Sequence, residues 1–214
     1  MKVLITGTAN GIGYAAAQKF LDMGHEVIGM DIQTAMIDHE NYTHILIDIT
    51  NELPDIPDVD ILVNNAGVQN EPNDIEVNLM GTIRCTEKYG MHTGIKSIVN
   101  IASTSAHTGA EFPLYSASKG GVLAYTKNVA LRVAKYGATC NSLSPGGVTT
   151  MLNAHILSDP ELWEAVKNET LLKKWASANE IAEWIYFVAI VNKSMTGQDI
   201  IIDAGEMAKF NFIW

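Results

Sequence analysis

Residues 3 to 13 read VLITGTANGIG, and the alanine-rich YAAAQKF follows at 14 to 20. A short apolar run with β-branched residues passes straight into a segment carrying Gly7, Gly11 and Gly13 and then into a helix former. Strand, glycine turn and helix in that order form a loop that brings backbone N–H groups and a helix N-terminus up to a phosphate, with Asn10 and Ile12 filling the loop between the glycines. Glycine spacing alone is weak evidence, and its context gives it weight. Asp31 closes the next apolar run, EVIGM at 26 to 30, and stands 18 positions beyond Gly13. That is close to the roughly 20 at which a carboxylate binds the hydroxyls of an adenosine ribose. Neither TAN at 8 to 10 nor IQT at 32 to 34 supplies an Arg or Lys to neutralise a 2′-phosphate, so NAD is expected over NADP.

Working outward, further apolar runs occur as HILI at 44 to 47, ILVN at 61 to 64, SIVNIA at 97 to 102, TCNSLS at 139 to 144 and DIIIDA at 199 to 204, beside KVLIT at 2 to 6. Runs without alternation read as strands covered on both faces. Helix-like segments lie at 11 to 23, 74 to 90, 115 to 135 and 179 to 191. The alternation predicts an α/β fold of Rossmann type: a doubly wound parallel sheet of about seven strands, with helices on both faces in three αβα layers. At 214 residues the chain is expected to form one domain, 1 to 214.

Composition narrows the partners. The formal net charge of −10, from 24 acidic and 14 basic side chains, repels nucleic acid and anionic membranes. The longest apolar stretch, WIYFVAIV at 184 to 191, is shorter than the about 20 residues of a membrane-spanning helix. Met1 and Lys2 lead directly into the first strand without a leader-like segment, and Cys85 and Cys140 read as reduced core thiols. A cytoplasmic location is expected. The segment from Asn51 to Asp60, with Pro54 and Pro57, reads as surface turn. Six histidines, at 25, 39, 44, 92, 107 and 155, never fall at metal-ligand spacing, so no metal is expected.

Beyond the glycine loop and DIT at 48 to 50, the motifs run NNAG at 64 to 67, VNLMG at 77 to 81, VNIAS at 99 to 103, YSASK at 115 to 119, NSLSPGGVTT at 141 to 150 and TGQDIIIDAG at 196 to 205. In this order they resemble the short-chain dehydrogenase/reductase superfamily, in its compact single-domain branch, over nearly the whole chain. The resemblance implies Asn78, Ser103, Tyr115 and Lys119 as catalytic residues. For the cofactor it implies Asp48 and Ile49 at the adenine, Asn65, Ala66 and Gly67 along the dinucleotide, Tyr115 and Lys119 at the nicotinamide ribose, and Pro145, Gly146, Val148 and Thr150 on the nicotinamide side. Two departures stand out: only ten residues separate Gly67 from Asn78, and Ala102 replaces the serine that more often precedes the catalytic one. Ser103, Thr104 and Ser105 are therefore rival hydroxyls, with Ser103 in the family's register.

An ammonium at i+4 from a phenol shares its helix face. Lowering a tyrosine pKa by two to three units takes about 3 to 4 kcal/mol, and one charge about 4 Å away at an effective dielectric near 20 supplies about 4 kcal/mol. The expected reaction is reversible hydride transfer between NAD and a secondary alcohol or ketone. His107, Glu111, Phe112, Met151 and His155 are candidates for lining a substrate pocket, beneath a short lid around 151 to 175. A dinucleotide sensor without turnover is the alternative, and the short C-terminal portion argues against a nucleotide-sugar epimerase. The implied assembly is a homodimer or homotetramer, and the aromatic end FNFIW at 210 to 214 is expected to be buried in an interface or against the lid.

Overall fold

The computed structural model describes residues 1 to 110 and 112 to 209. Glu111 and the FNFIW segment lie outside the described residues. The chain alternates β1 (Lys2–Thr6), α1 (Gly11–Asp22), β2 (Glu26–Asp31), β3 (Tyr42–Leu46) and β4 (Ile61–Asn64). A π-helix, Ile75–Gly81, then runs into α2 (Thr82–Tyr89), followed by β5 (Ser97–Ile101), α3 (Ser105–Thr108), α4 (Pro113–Val133) and β6 (Thr139–Pro145). The remainder holds β7 (Val148–Thr149), α5 (Ala154–Leu157), α6 (Pro160–Asn168), β8 (Ala176–Ser177), α7 (Ala178–Tyr186) with a π-helical continuation Phe187–Val191, and β9 (Asp199–Ile202).

Seven strands form one sheet in the order β3-β2-β1-β4-β5-β6-β9, and every neighbouring pair is parallel. The order reverses between β1 and β4, so their following loops diverge and leave a crevice at the carboxyl ends. Side chains alternate across the sheet: Val3 and Ile5 of β1 pack with Phe20 of α1 and Ile181 and Ile185 of α7, while Leu4 packs on the other face with Cys85, Tyr89 and Val129. The expected three layers are thus present.

Where the structure departs from the sequence reading, the cause is tertiary. The helix expected at 74 to 90 is π-helical in its first half. The last strand stops at Ile202 because Ala204 takes a left-handed conformation, φ 54°. The paired β7 and β8 are two residues each and exist only because the chain returns to Val148 at Ala176. Such short strands leave no periodicity to read.

Candidate active site

The glycine loop is built by contact. Gly7 has φ +77°, and its N–H donates to the carbonyl of Met30 at 2.7 Å. A Cβ on Gly13 would lie 1.9 Å from the Gly7 carbonyl oxygen, so only glycine lets α1 approach β1 this closely. Asn65 locks the turn from the next strand: its Nδ2 donates to the carbonyls of Thr6 and Gly7, both at 3.0 Å. Thr6 Oγ1 in turn accepts the N–H groups of Asn65 and Ala66. Asn10 caps α1 by backbone conformation without a side-chain bond, and its amide reaches Gln33 instead. The first N–H groups of α1 therefore remain available to an anion, and with the glycine cradle they fit a pyrophosphate.

Asp31 ends β2 beside the glycine loop. Its Oδ2 accepts the N–H of Ala9 and its Oδ1 that of Gln33, at 2.8 and 2.9 Å. Beneath it Thr8, Tyr42 and His44 link hydroxyl to hydroxyl to imidazole, each step 2.9 Å, and His44 Nε2 reaches the Gln33 carbonyl. Asp48 receives the N–H and hydroxyl of Thr50 on one oxygen. The side chain of Ile49 is core, packed against Gly81.

Along α4, Lys119 is 4% exposed and donates to the Ile101 carbonyl at 2.8 Å, with its Nζ 5.7 Å from the centroid of the Tyr115 ring. Burial lowers the Lys119 pKa to about 8, opposed by the charge of Asp74. Asn78 lies in the π-helix, and both its amide hydrogens are used, toward the Val68 carbonyl at 2.9 Å and Ser118 Oγ at 3.0 Å. Its Oδ1 accepts the Val68 N–H at 2.8 Å. A Cβ on Gly67 would sit 2.9 Å from that oxygen and 3.5 Å from Lys119 Nζ, which brings asparagine and lysine to one point.

Ser103 ends the turn after β5 and is buried. Its Oγ accepts the N–H of Ser105 at 3.2 Å, leaving its own proton to donate. The turn is pinned to β6 through Ala102 N–H to Leu143 and Thr104 N–H to Pro145.

On the far side, Gly146 donates its N–H to the Ile202 carbonyl, and Val148 of β7 is buried. The methyl of Thr150 comes within 3.6 Å of a Cβ placed on Gly11, so this loop meets the glycine loop across a groove of about 570 Å³ lined also by Tyr14, Met151 and Ala154.

Among the substrate candidates, Phe112 is half-buried, and Met151 and His155 are exposed. The Nε2 of His107 lies 2.8 Å from Asp199 Oδ2 and 3.3 Å from Ser144 Oγ, so its imidazole is tied to β6 and β9.

Sequence reasoning passed over several residues that build the site. Asn64 donates to Thr86 and Asn100, and Asn100 to Thr126, a buried chain joining β4, β5, α2 and α4. Asp74 is buried next to the π-helix; an acid between two exposed-looking stretches gave no signal of that.

Comparison with known proteins gives the family and agrees with the fold. The Enoyl-(Acyl carrier protein) reductase family model matches residues 38–206. The chain belongs to the short-chain dehydrogenase/reductase family. Glucose 1-dehydrogenase of Gluconobacter oxydans is 30% identical to this short-chain dehydrogenase/reductase, over 95% of this chain and 91% of its own. The solved 4-hydroxyisoleucine dehydrogenase complexed with NADH superimposes with a TM-score of 0.83 at 27% identity, covering 98% of this chain and 99% of that one. ElxO with NADP bound superimposes with a TM-score of 0.84 at 25% identity, covering 97% and 99%. Both nicotinamide dinucleotides thus occur among solved structures of this fold.

Proposed function

We propose that this short-chain dehydrogenase/reductase is an NAD-dependent oxidoreductase that interconverts a secondary alcohol and its ketone. The observation that carries the reading is the buried Lys119 ammonium beside the Tyr115 ring on one face of α4, meeting Asn78 at the carboxyl edge of the sheet. When bound, the dinucleotide supplies or accepts the hydride at C4 of its nicotinamide. Tyr115 moves the hydroxyl proton, its phenol made acidic by the adjacent ammonium. Ser103 donates its free hydroxyl proton to the substrate oxygen as negative charge develops there. Lys119 keeps two N–H donors beyond its bond to Ile101, enough for a ribose diol. Asn78 fixes the π-helix to α4, and the remaining lone pair of its Oδ1 is the place where a relay water donates.

Asp31 selects NAD, since its carboxylate receives ribose hydroxyls and repels a 2′-phosphate. In this reading residues 1 to 214 are a single domain with a lid around 151 to 175, working as a homodimer or homotetramer in the cytoplasm on a small polyol, sugar-like or hydroxy-ketone substrate. A panel of secondary alcohols with NAD, followed by the absorbance of the reduced nicotinamide, tests it. Tyr115→Phe is expected to lower kcat by about 10²- to 10⁴-fold with NADH binding preserved. Tight NADH binding without turnover of any alcohol or ketone would instead describe a dinucleotide sensor.

A further inference from the structure

Asp74 lies in the short segment between Gly67 and Asn78, at the mouth of the π-helix. It is 1% exposed, and an ionised carboxylate buried that deeply needs hydrogen bonds or an opposite charge. One oxygen, Oδ1, accepts the N–H of Glu71 at 3.2 Å. One helical turn on, Asn78 donates to Ser118, the residue before Lys119, and across Gly67 its oxygen faces the Lys119 ammonium. A buried carboxylate and a buried ammonium thus lie on either side of Asn78, each with a backbone hydrogen-bond partner.

Among the described residues, Asp74 is the acid whose field raises the Lys119 pKa. Tyr115, on the same helix, is a titratable neighbour, and β5 presents the Ile101 carbonyl. Glu76, on the same segment as Asp74, is turned outward in an ion pair with Arg84. Burial pulls the Lys119 pKa down, and the field of Asp74 pushes it back up.

We propose that Asp74 is the positioning counter-charge of Lys119: it holds the ammonium protonated in a site that would otherwise discharge it, and so sustains the field that acidifies the Tyr115 phenol. Its consequence for rate rests on the hydride-transfer reading above; its effect on Lys119 does not.

The test is a titration of the Lys119 side-chain nitrogen by NMR in the full-length chain labelled with ¹⁵N-lysine, its signal assigned by its loss in Lys119→Met. Asp74→Asn keeps the shape and an oxygen for the Glu71 N–H while removing the charge; Asp74→Ser does the same in a smaller side chain should the amide unfold the protein. Lys119 is expected to titrate about one unit lower in the neutral variant, and the alkaline loss of kcat to set in correspondingly earlier, about tenfold lower activity on that limb. An unchanged Lys119 titration in a folded variant would overturn the proposal, and a lowered titration with an unmoved kcat profile would overturn its link to the phenol. A lowered titration in a protein that turns over no alcohol would sustain the Asp74 and Lys119 pairing while refuting the hydride-transfer reading.

Discussion

At the scale of single residues, Lys119 sets stability against chemistry. Its pKa falls from 10.5 to about 8 because burial penalises the ammonium, a cost of about 3 kcal/mol whenever the folded chain must carry that charge. The sign follows from proton counting. Between about pH 8 and 10.5 the unfolded chain binds the proton that the folded chain has released, so stability from this source rises with pH across that window and is flat below it. Lys119→Met is therefore expected to abolish turnover and to remove this pH dependence, while the relief of a dehydrated ammonium is offset at pH 7 by the Asp74 carboxylate left buried without its counter-charge. Thermal denaturation from pH 7 to 10.5 would show the disappearance of the slope. Asp31 offers a cleaner separation of roles. Asp31→Ser is expected to weaken NADH about tenfold, one charge-assisted hydrogen bond, and to improve NADPH, as read by fluorescence titration of the two cofactors. If the wild type already binds NADPH more tightly, the assignment of Asp31 is wrong.

At the scale of elements, α4 shows how identical letters acquire different duties. In the pair Gly120 and Gly121, a Cβ on Gly121 would meet Leu79 of the π-helix at 2.7 Å, whereas at Gly120 the nearest atom is the Ala106 carbonyl oxygen at 4.0 Å. Gly120→Ala should stabilise the helix by about 0.5–1 kcal/mol, since alanine restores helix propensity without a clash. Gly121→Ala should destabilise by about 1 kcal/mol or more and disturb Asn78 through Leu79, which urea melts beside steady-state rates would reveal. The strands were legible because a two-sided burial leaves a continuous apolar run of the right length, and α1 and α4 because small residues and caps frame them. The π-helix at Ile75–Gly81, the β7 and β8 pair and the partner of His107 were not legible. Each depends on a contact made far along the chain, such as Asp199, 92 positions from His107.

At the scale of the whole molecule, the sheet ends on β9, an edge with half-exposed residues, and α7 with its π-helical continuation presents Trp184 and Phe187, 42% and 44% exposed with rings 6.0 Å apart. An aromatic pair left in solvent on a helix face is the kind of surface that a second subunit covers. Phe187→Glu is accordingly expected to lower the assembly mass measured by light scattering while far-UV circular dichroism stays unchanged; an unaltered mass would move the interface elsewhere.

The fold class, the glycine turn between β1 and α1, Asp31 at the end of β2 and the pairing of Tyr115 with Lys119 were written in the sequence because each rests on local chemistry: glycine clearance, strand length, an i+4 spacing. The chain's tertiary arrangement alone decided that Lys119 is dehydrated, that Asp74 lies buried within reach of its field, that Ile49 is core and that His107 answers to Asp199. Burial and through-space charge depend on what the folded chain packs around a group, and no neighbouring letters encode that.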